Sequence, residues 1–260
     1  MYKIMDFVWK KEPIGLPRPF VHSFYKTMFM KLYGLDEKEA GKYVGKNGAV
    51  TDSCDFLYPL VKTVWERNQN RATQFYDIRT SEEAGQPAPE YAILKKAGIK
   101  DIGPIGIKGM GNMAFLMGLQ MTELAVNEGE CVIMLLAEME HDLESQGENT
   151  ACAFALCPCQ DVGNQEGIWI TEYRIHLTAY EMRDAVKKFC GSAIFSDTVL
   201  DDIPIACSAV FCGKHGLTDP FLYLHKASEE VESADVLSIY SSGNKYGLVR
   251  YHVSGKGHGY

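Results

Sequence analysis

The stretch "KGMGNMAFLMGLQMTELAVNEGECVIMLLAE", residues 108–138, reads as a glycine-rich turn, a long helix and a buried strand. Its apolar residues recur at helical spacing from about Asn112 to Asn127, and Gly129 supplies the conformational freedom that ends a helix. The run from Cys131 to Ala137 is apolar without alternation, as in a central strand covered on both faces. Strand–turn–helix units of this kind often carry a nucleophile at the turn. The residue at this helix mouth is Asn112, an amide. Asn can cap a helix, but it is no acyl acceptor.

Working towards the N-terminus, "IGPIGI" is a short strand and Pro89 to Lys96 a short helix closed by Gly98. "ATQFYDIRT" is a strand. "CDFLYPLVKTVWERNQ" is a helix with Leu57, Leu60, Val61 and Val64 on one stripe, capped by Thr51 or Asp52, with Pro59 near its first turns. "MYKIMDFVW" is a first strand; residues 11–50 are irregular, apart from a helical repeat in "PFVHSFYKTMFMKLYGL". Working towards the C-terminus, "ENTACAFALCP" and "GIWITEYRIH" read as neighbouring antiparallel strands. Then come helix "TAYEMRDAVKKFC", strand "IPIACSAVF", helix "DPFLYLHKASEEV" and a closing hairpin around Gly243-Asn244. This β-α-β-α-β order implies a mostly parallel sheet with helices on both faces, in two tandem series of which the second is shorter.

The chain has 260 residues, 46% hydrophobic and 23% charged, with a net charge of −8. That length holds a real core. Acidic excess without a Lys/Arg cluster speaks against nucleic-acid binding. No run approaches the roughly 18 apolar residues of a membrane span, and Met1–Lys10 lacks the order of a secretory signal. The eight cysteines lie partly in apolar runs, which points to a reducing cytoplasm without a disulfide framework. Cys152, Cys157 and Cys159 match no usual zinc spacing, and strand alternation sets Cys152 on the opposite face from the other two. His141 with Glu138, Glu140 and Asp142 reads as a solvated loop. No GxGxxG or phosphate-loop pattern follows a strand, so neither cofactor nor metal is expected.

In order, "PAPEYAILKKAGI", "GNMAFLMGLQMTELAVNEG" with "CVIMLLAE", "GENTACAFAL", and "KHGLTDPFLYLHKASEE" with "ADVLSIYSSGNKYGLVRY" resemble the thiolase fold, within it the beta-ketoacyl-acyl-carrier-protein synthase III branch. The likeness spans most of residues 50–252. It implies two tandem βαβαβ-type halves, 1–165 and an abridged 166–253, in a layered αβαβα arrangement, followed by a flexible tail at 254–260. It also implies a Cys nucleophile, a His and an Asn. Asn112 stands at the Cys position, Leu217 at the Asn position, and His176 is the best match to the His. His215 is a further candidate beside Leu217. Met110 and Met113 are expected to plug the pocket. No cysteine lies between Cys54 and Cys131, so a shifted alignment does not restore the nucleophile. Leu217 has no donor or acceptor for carbonyl chemistry.

The resemblance therefore implies a catalytically silent, cytoplasmic subunit in polyketide or fatty-acid-derived metabolism. It would pair with an active Cys-bearing ketosynthase III-like partner, with acyl carrier protein or acyl-CoA at the complex. Two rivals stand beside it. One is an acyltransferase or condensing enzyme with reassigned residues, using His176 or His215 as base, or Cys152 or Cys159 as nucleophile. The other is a stand-alone acyl or acyl-carrier-protein binding module.

Overall fold

A computed structural model describes residues 1–13, 30–31, 34, 36, 53–79, 89–138, 148–161, 166–200, 203–212, 216–230 and 233–255. Most of the helical repeat at 19–35 lies outside them, as do Thr51 and Asp52, Glu140, His141, Asp142, His215, and residues 256–260 of the expected tail.

Among the described residues, ten strands form one sheet: β1 (Tyr2–Pro13), β2 (Ala72–Arg79), β3 (Gly103–Ile107), β4 (Cys131–Glu138), β5 (Glu148–Pro158), β6 (Gly167–Leu177), β7 (Ala193–Ser196), β8 (Ala209–Cys212), β9 (Ser233–Ser242) and β10 (Lys245–Ser254). The helices described in full are α1 (Ser53–Asn68), α2 (Pro89–Ala97), α3 (Ala114–Ala125), α4 (Ala179–Lys188) and α5 (Asp219–Glu230). Their spatial order is β3-β2-β4-β5-β1-β6-β10-β9-β7-β8. Read outward from the β1/β6 seam, the two sides run β1-β5-β4-β2-β3 and β6-β10-β9-β7-β8, which is the same topology twice. Parallel and antiparallel pairings repeat as well: β2 with β3 and β4, and β7 with β8 and β9, are parallel, and the remaining neighbours antiparallel. The sheet is thus mixed rather than mostly parallel, because each half closes with an antiparallel return.

Strand alternation divides the core into three clusters. On β4, Val132, Met134 and Leu136 face a central cluster, while Cys131, Ile133, Leu135 and Ala137 face an outer one under α1 and α2. Leu57, Leu60, Val61 and Val64 deliver the α1 stripe to that outer cluster. On the other half, α4 covers Ile194, Leu237 and Ile239 through Met182 and Val186. The central cluster holds α3 and α5 between the half-sheets. The result is the α/β architecture in αβαβα layers. At its centre Phe221 of α5 meets Phe115 of α3 edge-on (5.0 Å), stacks on Phe154 (5.2 Å) and meets Tyr251 edge-on (5.8 Å).

Several expectations need correction. β5 and β6 are not neighbours, since β1 runs between them, antiparallel to both. Residues 159–166 are long enough to arch over one strand, so a connection's length alone does not make a hairpin. β1 continues through Lys11 to Pro13, where a loop was expected, because Glu148–Thr150 pair with it. The expected strand over "IPIACSAVF" is regular only from Ala209. Ala193–Ser196 is a strand the periodicity does not reveal, being four residues long and set by its partners β8 and β9. The hairpin turn is as read, with Gly243 at φ 58 between the paired Ser242 and Lys245.

Truncating Phe221 to Ala should cost about 3–5 kcal/mol in denaturant unfolding, as expected for an aromatic in a filled core. The same change at Leu124, 88% exposed on α3, should stay within about 0.5 kcal/mol.

Candidate functional site

The helices α3 and α5 are topological equivalents, each 12 residues long and each entered from a short glycine-led segment. Gly111-Asn112-Met113 forms a 3-10 turn before Ala114; Gly216-Leu217-Thr218 precedes Asp219. Asn112 and Leu217 therefore hold the same place in the two repeats. Asn112 lies inside the 3-10 turn instead of capping α3, whose N-terminus has no side-chain cap. Gly111, at φ 55, takes the left-handed conformation that starts this turn.

Each mouth abuts the other half of the sheet. The 3-10 turn lies against β9. The mouth of α5 lies against the end of β4, where the Glu138 carboxylate accepts hydrogen bonds from Leu217 N–H, from Thr218 Oγ1 at 2.9 Å and from Thr150 Oγ1 at 3.1 Å. The two hydroxyls are 2.9 Å apart. Two hydroxyl hydrogens serve three short contacts, so at least one is shared. Gly216 leaves room for this carboxylate, which a Cβ there would force aside. Asp219 Oδ2 takes the Gly216 N–H at 2.7 Å and closes the turn. The Leu217 side chain is fully buried in the central cluster.

The other candidates are dispersed. His176, the last residue of β6 but one, has φ 58 and is exposed, in an irregular register opposite Gly247, whose backbone packs on Leu116 and Met113. Met113 is buried in the central cluster, whereas Met110 is 41% exposed. Cys152 is fully buried in the same cluster, and burial, then the Glu138 charge, push its thiol well above the usual range. Such a thiol is a poor nucleophile. Cys157 faces the outer cluster, and burial raises the Cys159 thiol just beyond the strand. A cavity of about 450 Å³ opens elsewhere, beside the C-terminal half of α5, lined by Phe7, Ile168, His225 and Glu229. It touches neither helix mouth.

Four features are not legible from the sequence alone. Glu138 was weighed only as part of a solvated acidic loop, although an acid ending an apolar strand is a signal in itself. Asp77 and Arg79 are fully buried on β2, with Arg79 Nε donating to Asp77 Oδ1 at 2.8 Å. Nearby, Lys108 pairs with Glu90 at 2.8 Å, just before the 3-10 turn. Asp197, at the end of the unrecognised β7, accepts the Ser241 N–H at 2.8 Å.

With this geometry in view, comparison with solved structures places the fold. ChlB3, described as an acyltransferase, superimposes with a TM-score of 0.61 at 9% identity, over 98% of each chain. The 3-oxoacyl-(acyl carrier protein) synthase III FabH from Pseudomonas aeruginosa PAO1 gives 0.55 at 8%, again over 98% of each. The HMG synthase of the curacin biosynthetic pathway, in complex with an acetyl donor acyl carrier protein, gives 0.55 at 11%, over 97% of this chain and 80% of the other. The fold is thiolase-like, of the ketosynthase III kind. No protein-family model matches the chain, and no curated protein sequence does. Among the described residues no helix is long and apolar enough to cross a membrane.

Replacing Glu138 with Ala leaves the Leu217 N–H and two hydroxyls short of an acceptor, at about 1–3 kcal/mol for each group stranded from water. Gly216→Ala forces the carboxylate aside at a similar cost. Because the same contact carries both effects, the double variant should lose less stability than the sum of the singles. Additivity in chemical unfolding would show that the contact is not formed.

Proposed function

We propose that this chain is the non-catalytic member of a cytoplasmic ketosynthase pair in polyketide or fatty-acid-derived metabolism. Its partner is an active ketosynthase III-like subunit that carries the cysteine. The supporting observation is that both helix mouths of a ketosynthase III-like fold are held by groups without acyl-transfer chemistry. Asn112 stands at one. Leu217 stands at the other, and its side chain points into the core while its backbone is tied to Glu138. A helix N-terminus still offers partial positive charge and N–H groups there, but no thiolate.

Among the described residues, β3 and β8 are the edges of the sheet. β3 is the proposed partner-facing edge, where a partner's sheet would continue this one. Gly103 and Gly106 on it are exposed while Ile107 is buried, and Pro104 removes one donor from that strand. A structural neighbour captured with an acyl carrier protein supports a carrier-bound or CoA-bound acyl thioester as the substrate of the complex. In this reading the silent chain shapes the partner's acyl site and takes no acyl group itself.

The test is co-expression with a Cys-bearing ketosynthase III-like subunit, followed by gel filtration and acyl-thioester loading. A hetero-oligomer acylated only on the partner is expected. An acyl adduct on the isolated chain would instead establish the reassigned-residue enzyme, and stable thioester binding without a hetero-oligomer the stand-alone module. Asn112→Cys alone should not create condensation, because Leu217 still removes a polar partner. Asn112→Ala in the complex should leave the rate within a few-fold, whereas deleting a true oxyanion donor costs ~100-fold or more.

A further inference from the structure

The ladder between β4 and β5 sets Val132 opposite Leu156 and Ile133 opposite Ala155. One step outward, the same register sets Cys131 opposite Cys157. Both side chains belong to the outer cluster. The backbone decides what kind of pair this is. Cys131 N–H donates towards β2, to Arg71 O at 2.9 Å, and Cys159 N–H donates towards β1, to Met1 O at 3.1 Å. Directions alternate along a strand, so Cys157, two residues before Cys159, also addresses β1. Neither cysteine spends its backbone bonds on the other. In such a non-hydrogen-bonded antiparallel pair the Cα atoms lie about 4.5 Å apart, with side chains at their closest. Disulfides span Cα separations of about 4.4–6.8 Å. Cys159, two residues along the chain from Cys157 and just beyond the strand, about 6.6 Å away if the chain stays extended, is the poorer partner.

The two sulfurs are also unequal. Cys131 is fully buried and Cys157 is 8% exposed. The Cys157 thiol lies 3.7 Å from Met5 Sδ, and an Arg71 nitrogen lies 3.9 Å from that same sulfur. A hydrogen bond from Cys131 holds Cys157 below the ordinary thiol range against the effect of burial, with Arg71 and Lys3 assisting and Asp6 opposing. That same bond, then burial, pushes Cys131 up. Cys157 is thus the sulfur nearer solvent, with Cys131 packed behind it.

We infer that Cys131 and Cys157 form a redox-active dithiol, which hydroperoxides convert to a cross-strand disulfide. The Cys157 thiolate attacks the terminal peroxide oxygen and the O–O bond breaks. The leaving oxygen takes a proton from solvent, and Cys157 becomes a sulfenic acid. Cys131 sulfur then attacks Cys157 sulfur: the S–S bond forms, the S–O bond breaks, and the hydroxyl departs as water with the Cys131 proton. Two electrons pass from the cysteine pair to one peroxide. The link would fasten together the strands that carry Glu138 and Thr150.

The test treats the reduced full-length chain with hydrogen peroxide, alkylates it under denaturing conditions and maps the peptides by mass. A peptide pair joined through positions 131 and 157, lighter by two hydrogens and restored by dithiothreitol, is expected. Cys131→Ser should stop at a sulfenic acid on Cys157 that dimedone traps, and Cys157→Ser should leave Cys131 unmodified. If Cys131 and Cys157 are alkylated after peroxide as fully as the buried Cys54, or if oxidation is confined to the exposed Cys190 and Cys212, the inference fails. The wild-type map decides this even if a variant does not fold.

Discussion

A helix that is apolar nearly all round is stable in water only when something covers each of its faces. That requirement on α3, met by α5 and by two half-sheets, organises this molecule. Ala114, Phe115, Leu116, Gly118 and Leu119 have almost no surface left. Gly118 lets the helix approach β2, where a side chain would press on Ile78. Once α3 and α5 lie back to back through Phe115 and Phe221, their N-terminal mouths meet the strand ends of the opposite halves. Site geometry is thus a by-product of core packing. A chain that keeps the core keeps the site's shape whether or not it keeps the chemistry.

What occupies the site follows from the same burial. A carboxylate withdrawn from water has to recover its hydrogen bonds from the protein, and Glu138 does so from the Leu217 backbone and two threonines. With Gly216 fitted against it, the network fixes the path of the chain into α5. Leu217 contributes its backbone to this tie and its side chain to the core, which leaves nothing of it for a substrate. The position has become structural. Cys152, the thiol electrostatically coupled to Glu138, is held protonated by burial and by that charge.

Strong local periodicity was legible in the sequence: the α1 stripe, the unbroken apolar run of β4, and the glycines that end helices or turn hairpins. The likeness of whole segments to a ketosynthase also carried the layered architecture. What stayed hidden depends on partners distant in sequence. β7 is four residues long and exists because β8 and β9 flank it. The insertion of β1 between β5 and β6 leaves no local trace, because a strand does not record its neighbours. The start of α3 was misplaced because Asn112 is a good cap by residue type, while the 3-10 turn already supplies the helix entry. At the site, Asn112 and Leu217 could be placed from the resemblance. Glu138 needs the fold, because its hydrogen-bond donors lie 12 and about 80 residues away in the chain.

The shortening of the second half also has a structural consequence. In the first half, α2 lies between β2 and β3 and covers the outer face together with α1. The equivalent interval between β7 and β8 has no helix among the described residues. There Leu200, Ile203, Ile205 and Cys207 pack on the cluster under α4 instead. This covers the apolar surface with fewer residues, but an extended segment lacks the aligned backbone N–H groups of a helix start. In α/β architectures ligands gather at the carboxyl ends of parallel strands, where helix mouths converge. At the end of β7 this chain presents Asp197, already bound to Ser241, and the mouth of α5 is tied up by Leu217 and Glu138. Here the side chains at both places serve the packing and the backbone path of the fold.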